Sequence, residues 1–247
     1  MENYKPFMSF DEDAAEIYDT EPDDGHRGDT LATVSCLEQL AGDGPALELA
    51  IGTGRVALPL AARGIRVDGI DFSAPMVARL RAKPGGDQIS VTIGNFADVL
   101  VQGTYRLIFV VFNTLFNLLT QDEQVRCFQN VAAHLTDDGS FVVEAFVPTF
   151  LTRLRDDQYV NTEAIAVNEV WLDVGRHDPV AQRLEESHVV LSSEGVRVYP
   201  IVTRYSWPSE LDLMARIAGL RLRERWAGWN REPYTSTSST HVSVYRH

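Results

Sequence analysis

Glu48, Gly52, Gly54 and Asp71 are the residues whose types and spacing best suit ligand chemistry. Leu47-Glu48-Leu49-Ala50-Ile51-Gly52-Thr53-Gly54 is an apolar strand running into two glycines, with an acid four residues before the first of them. Glycines just past a strand let the backbone approach a ligand with no Cβ in the way, and Arg55–Ala62 then starts a helix whose free amides favour an anionic group. Seventeen residues after Gly54 comes Asp71, closing the short strand Val67-Asp68-Gly69-Ile70-Asp71 and placed to accept from both hydroxyls of a ribose. The pair implies a nucleoside-bearing ligand. Gly52-Thr53-Gly54-Arg55-Val56-Ala57 also fits the G-x-G-x-x-A form of a dinucleotide fingerprint, so these glycines alone leave a nicotinamide-dependent oxidoreductase open.

Alternating strand and helix signals must position these residues. The pattern predicts helix 30–40, strand 46–50, helix 55–63, strand 66–70, helix 74–82, strands 89–93 and 106–112, helix 121–135 and strand 140–146. That rhythm is the α/β class, a doubly wound, mostly parallel sheet, with breaks at Gly64, Gly85-Gly86 and Asp137-Asp138-Gly139. Open sheets of this kind bind ligands at the carboxyl ends of their strands, so Gly52, Asp71, Asn95, Phe112 and Glu144 should gather on one edge. After Phe150 the pattern changes to three strand-like segments, 162–174, 182–191 and 196–206, joined by Gly175–Pro179 and Ser192–Gly195. These read as an antiparallel meander inserted before the last αβ unit, either a lid over an acceptor pocket or a dimerisation sheet.

The Glu-x-x-x-Gly-x-Gly arrangement followed by Gly69-Ile70-Asp71-Phe72-Ser73-Ala74-Pro75-Met76 resembles motifs of class I S-adenosylmethionine-dependent methyltransferases. The resemblance continues through Gly94-Asn95-Phe96-Ala97-Asp98, Tyr105–Phe109, His134–Val142 and Ala218-Gly219-Leu220, covering most of the chain in the right order. It departs at Ala50 and Ile51, where the family often has Gly-Cys, and at Asn95, where it commonly has Asp. The Ala50 position is expected to need only a small residue, and Asn95 can still accept from an adenine amino group through its carbonyl oxygen. The resemblance implies a seven-stranded Rossmann-like sheet ending in an antiparallel hairpin, with S-adenosylmethionine as cofactor. It implies one domain over residues 1–247: an arm at 1–29, a cofactor-binding core at 30–150 and 208–247, and an insertion at 151–207 over the acceptor.

Cofactor contacts are expected from Glu48, Gly52, Gly54, Arg55, Asp71, Phe72, Met76, Asn95, Phe96 and Phe112. Glu48 would brace the loop by accepting from its amides or, through water, from the methionine ammonium. Phe72 and Met76 would flank the adenine, Asp98 is either a further contact or a helix cap, and Asn113 interrupts the apolar run after the fourth strand at the place where the methyl is transferred. Tyr18 looks like the N-terminal tyrosine that folds over the cofactor in many small-molecule members. Methyl transfer needs alignment more than a strong base. For acceptors that do need one, His26, His134, His177, His188 and His241 are candidates, with His26 preferred for its closeness to Tyr18. Phe116, Phe146, Trp171, Tyr205, Trp207 and Trp229 are expected to wall the acceptor pocket, with Arg153 and Arg204 available for an acceptor carboxylate.

Composition narrows the class further. The net charge is −13, and residues 1–30 hold ten acids against Lys5 and Arg27. Such a surface repels phosphate backbones, which argues against a nucleic-acid substrate and for a small neutral or cationic acceptor. The longest apolar run, 107–119, is too short to span a membrane and no signal peptide opens the chain, so a cytoplasmic location is expected. Cys36 and Cys127 lack metal-ligand spacing and read as reduced core residues; no metal is expected. The expected activity is methyl transfer to a nitrogen, oxygen or aromatic carbon of a small molecule, a bacterial secondary metabolite, by a protein able to form a homodimer. A catalytically silent S-adenosylmethionine-binding protein is the alternative.

Overall fold

The computed structural model describes residues 29–98 and 101–247, together with Phe10, Glu12, Ala15 and Tyr18. Helix α1 (Thr30–Ala41) starts where the Asp29 side chain accepts from the Leu31 and Ala32 amides, and it buries Val34, Leu37 and Ala41 at helical spacing. Strand β1 (Ala46–Leu49) is buried along its whole length, as a strand covered on both faces must be. Then follow α2 (Ala57–Ala62), β2 (Val67–Asp71), α3 (Ala74–Ala82, capped by Ser73), β3 (Ser90–Ile93) and β4 (Tyr105–Val110). A Thr120–Glu123 capping box opens α4 (Gln121–His134), which passes directly into β5 (Leu135–Phe146). The chain ends with α5 (Pro208–Ile217), β10 (Arg221–Trp226) and β11 (Thr240–Arg246).

These seven strands form one sheet in the order β10-β11-β5-β4-β1-β2-β3, parallel except for β11. The order reverses between β1 and β4, which is the switch point where such sheets open a crevice. Helices α1 and α2 pack on one face, with Val34, Leu37 and Leu60 against Leu107, Phe109 and Val142. On the other, Phe128 of α4 and Leu211 and Met214 of α5 meet Ile108, Phe141 and Tyr245.

The insertion differs from its expected form. It has four strands, not three: β6 (Gln158–Ile165), β7 (Glu169–Asp178), β8 (Arg183–Ser192) and β9 (Gly195–Arg204), consecutive and antiparallel. The expected single strand 162–174 is broken by a hairpin at Ala166-Val167-Asn168, closed by the Ala166 amide donating to the Glu169 carbonyl at 2.8 Å. That turn contains neither glycine nor proline, so the pattern carries no break there. Gly175 is no turn residue either. It sits within β7 because a Cβ there would lie 2.4 Å from the Tyr159 ring on β6. The turn comes four residues later, where the Asp178 carboxylate accepts from the Val180 and Ala181 amides at 2.9 and 3.0 Å. Asp137-Asp138-Gly139 likewise lies inside β5, with a register irregularity opposite Tyr105/Leu107.

Arg204 ends β9, and the structure corrects its expected availability for an acceptor. It is only 6% exposed and donates to Gln124 at 2.8 Å, Ser206 at 2.9 Å and Gln182 at 2.7 Å, with Glu210 at 3.5 Å. A buried guanidinium needs this full set of acceptors, so the residue locks the insertion to α4 and α5. Arg153 is exposed.

Candidate active site

The loop after β1 turns with three left-handed residues, Ala50 at φ 56°, Gly52 at φ 56° and Gly54 at φ 80°. The Asp71 carboxylate, at the end of β2, accepts from the Gly52 amide at 2.7 Å and the Ser73 amide at 2.8 Å. Burial raises its pKa while the amides of Ser73, Gly52 and Phe72 oppose the rise. Two carboxylate oxygens offer about four acceptor positions, so capacity remains for an outside donor beside the Gly52, Ser73 and Phe72 amides. Ala50 does more than supply a small side chain: a non-glycine residue here carries backbone strain. Ala50→Gly is expected to stabilise the fold by about 1 kcal/mol, the cost of a left-handed L-residue less the extra freedom of the unfolded glycine. A melting temperature equal to or below that of the wild type would contradict this.

Glu48, on β1 beneath the loop, is 3% exposed, and its Oε2 has no hydrogen-bond partner. Burial pushes its pKa up to about 8; Arg55 pulls it down, the Asp71 charge pushes it further up, and an Ala57 amide bond lowers it. With the folded value above the unfolded one, Glu48 favours the ligand-free fold at low pH, and that contribution fades as pH rises from about 4.5 to about 8. Glu48→Gln mimics the protonated acid. Its melting temperature relative to wild type should therefore climb between pH 6 and pH 8.5, and a flat difference in paired thermal melts would refute the assignment. Arg55 donates to Thr30 Oγ1 at 3.2 Å and lies 5.5 Å from the centre of the Phe112 ring.

After β4 the chain takes two consecutive non-glycine residues through the left-handed region, Phe112 at φ 55° and Asn113 at φ 62°. The Asn113 carboxamide oxygen accepts from the Phe146 amide at 2.6 Å, which leaves its NH2 donors for other partners. Glu144 accepts from the Phe112 amide at 2.9 Å and from the Trp229 indole at 2.7 Å. Neither contact is visible as a motif. The only cue is an acid ending an otherwise apolar strand, Phe141-Val142-Val143-Glu144.

On the β2–β3 side, Phe72 meets Phe10 edge-on at 6.2 Å, and Ser73 Oγ donates to the Phe10 carbonyl at 2.6 Å. Phe10 thus lies on this edge; Tyr18 is half-buried. Met76 is buried, its Cε 3.4 Å from where a Cβ on Gly52 would stand. The Asn95 oxygen accepts from the Ala97 amide at 2.9 Å, Phe96 is buried in the core, and Asp98 pairs with Arg126 at 2.8 Å. His26 lies outside the described residues. His134 contacts the carbonyls of Asn130 and Val101, and His241 is kept neutral by burial, its pKa pushed down to about 3.

Of the expected acceptor wall, Phe116 and Phe146 meet at 5.1 Å, and the stack runs on through Phe150 at 5.7 Å to Tyr159 at 6.2 Å. Tyr205 is buried with its hydroxyl 3.0 Å from His177 Nε2, and half-buried Trp207 packs beside it against the same core at the start of α5. Trp171 sits within the second sheet and donates to Glu169. Trp229 is set apart, in the cluster that holds Val34 and Leu37 of α1. The stack leads to a cluster in which sequence reasoning named His188 but missed Tyr159, Glu163, Asp173 and Glu186. Tyr159 donates to Glu186, and the ligand atoms of Glu163, Asp173 and His188 lie within 4.8 Å of one another, His188 Nδ1 at 2.7 Å from Glu163. Burial and the Asp173 charge raise Glu186 to about 7, while the hydrogen bond to Glu163 raises His188.

Residues 46–139 match the family described as Methyltransferase domain. Over 98% of its length, the chain is 40% identical to the CcbJ methyltransferase of Streptomyces caelestis, covering 99% of that chain with a TM-score of 0.90. This chain belongs to the class I S-adenosylmethionine-dependent methyltransferases. It is also 27% identical over 230 residues, 93% of this chain and 94% of the relative, to the cypemycin N-terminal methyltransferase of a Streptomyces species. CalS10 of Micromonospora echinaspora, an amino pentose methyltransferase with S-adenosylmethionine bound, shares the fold at a TM-score of 0.67 and 19% identity, over 93% of this chain and 94% of that one. The cofactor is S-adenosylmethionine. The residues fit it: the unpartnered Oε2 of Glu48 and the buried acids Asp71 and Glu144 suit a ligand carrying an ammonium, a sulfonium and a ribose diol.

Proposed function

We propose that the enzyme methylates an amine nitrogen of a small molecule, in the assembly of a bacterial secondary metabolite. The observation that carries this is the cluster of Tyr159, Glu163, Asp173, Glu186 and His188 on the second sheet, joined to the Asn113 turn by the aromatic stack from Phe116. An amine must lose its proton before its lone pair can attack, and a cationic acceptor is repelled by a cationic cofactor. Acids at the end of the aromatic stack meet both needs. Two relatives, the cypemycin N-terminal methyltransferase and the amino pentose methyltransferase CalS10, support an amine over a hydroxyl or carbon.

In this reading Asp71 binds the ribose diol, and Glu48, Gly52, Gly54, Arg55 and Phe112 surround the methionine end. Phe72, Met76, Asn95 and Phe96 enclose the adenine. S-Adenosylmethionine supplies the electrophilic methyl; the protein aligns the amine, excludes water and takes the proton. Asn113 and Tyr18 orient the nitrogen, Phe116 and Phe146 wall its approach with Trp171, Tyr205 and Trp207, and Glu186 accepts the proton. His26 is a second proton acceptor from the arm. Residues 151–207 close over a core formed by 30–150 and 208–247; the arm expected at 1–29 lies, apart from Phe10, Glu12, Ala15, Tyr18 and Asp29, outside the described residues. The outer face of the second sheet, which exposes Val160, Val196 and Val198, pairs two copies. Among the described residues no helix is long and apolar enough to cross a membrane, and we place the enzyme in the cytoplasm, acting on no nucleic acid.

S-Adenosylhomocysteine release should be measured against a panel of amines, alcohols and phenols, with no acceptor as blank. Release with amines only is expected. Release with hydroxyl compounds only, or with none, would overturn the reading. With the active amine, kcat/KM should rise with pH through about 7 as Glu186 ionises, and Glu186→Gln should flatten that limb.

A further inference from the structure

Glu144 joins four connections at the carboxyl edge of the sheet. Its Oε2 accepts from the Phe112 amide at 2.9 Å, its Oε1 accepts from Trp229 Nε1 at 2.7 Å, and its carbonyl accepts from the Asn113 amide at 3.3 Å. Arg55, from the loop after β1, is the cation that acts on this carboxylate, and its guanidinium stands against the Phe112 ring. The strained pair explains why an acid belongs here. Two successive non-glycine residues at positive φ are strained and persist only where the surroundings over-determine them. A carboxylate can accept from both N–H groups at once. An amide cannot: one of its ends is an NH2, which would face either the Phe112 or the Trp229 donor.

We infer that Glu144 is a positioning residue for the cofactor, a clamp through which Trp229 holds the Phe112–Asn113 turn in the shape that the methionine end of S-adenosylmethionine requires. This rests on the methyltransferase reading of that edge. It takes Trp229 out of the acceptor wall, since its ring packs on the α1 side and its N–H is spent on Glu144. The β10–β11 connection thereby acts on cofactor affinity without touching the acceptor.

The test is calorimetric titration of S-adenosylhomocysteine into wild type, Glu144→Gln, Trp229→Phe and the double variant, with thermal melts of each. Trp229→Phe keeps an aromatic ring and removes the N–H. Glu144→Gln should bind at least tenfold more weakly and Trp229→Phe several-fold more weakly, with the double variant no weaker than Glu144→Gln, because both changes break one clamp. KM for S-adenosylmethionine should rise by the same factors, and by more than any fall in kcat at saturating cofactor. A residue of purely structural role would lower the melting temperature and leave affinity alone. Binding within twofold of wild type by a folded Glu144→Gln, or additive effects in the double variant, would overturn the inference. If Glu144→Gln does not fold, Trp229→Phe carries the test, and wild-type affinity there overturns it. Failure of the wild type itself to bind would instead overturn the cofactor reading, a result distinct from binding that the variants leave unchanged.

Discussion

Asp71→Ala is expected to weaken S-adenosylmethionine binding by about 2–4 kcal/mol, a factor of roughly thirty to a thousand in dissociation constant. In the proposed reading the carboxylate has two tasks, and the substitution removes both. It takes away the charged acceptor for the ribose hydroxyls, and it releases the Gly52 and Ser73 amides, which bond to it at 2.7 and 2.8 Å. The glycine loop therefore loses its tie to the end of β2 at the same time as the ligand loses its partner. Asp71→Asn should recover little, because its NH2 would face one of those two N–H groups. Calorimetry with S-adenosylhomocysteine on variants shown to be folded by their melting curves gives the answer. An unchanged dissociation constant would remove Asp71 from the ribose site.

What could be read in the sequence, and what could not, divides by how locally the information is held. Gly52, Gly54 and Asp71 are set by backbone geometry within a few residues, so their types and spacing report the loop and strand end they form. The helix starts at Asp29, Ser73 and Thr120 are local in the same way, each being a side-chain cap on nearby amides. The hairpin at Ala166-Val167-Asn168 carries no turn residue with a special φ, so one strand was expected where two stand. The strain at Ala50 was hidden because alanine is unremarkable by type; only its φ of 56° reveals the cost. Asp173 and Glu186 escaped for another reason, as did the partners of Glu144 and His188, which the sequence offered only as a strand end and a candidate base. Their partners lie on other strands, and cross-strand neighbours follow from register, such as Asp173 opposite His188, which no single segment encodes. Trp229 was placed by the loop it sits in, whereas its neighbours are decided by the side of the sheet on which that loop packs.

Gly52→Val is expected to abolish cofactor binding while leaving the protein folded. The reasoning separates room from conformation. A Cβ at Gly52 would have only the flexible Met76 Cε within 4 Å, at 3.4 Å, so the core beneath the loop tolerates it. The backbone does not, since φ is 56° and a β-branched residue is least able to adopt that region. The loop must shift toward negative φ, which moves the Gly52 amide away from Asp71 and breaks the 2.7 Å bond that joins β1 to β2 at the ligand edge. If the loop instead holds its shape, the branched side chain still narrows the space through which the ribose and methionine pass. Both outcomes block the ligand. Gly52→Ala separates them: it adds one carbon with less steric demand, so partial binding would point to obstruction by the branched side chain and complete loss to the backbone. The cost to the fold should be only about 1–3 kcal/mol, the range for a single strained residue. Titration of S-adenosylhomocysteine beside a thermal melt measures the two quantities independently, and tight binding by a folded Gly52→Val would show that this loop is not where the cofactor sits.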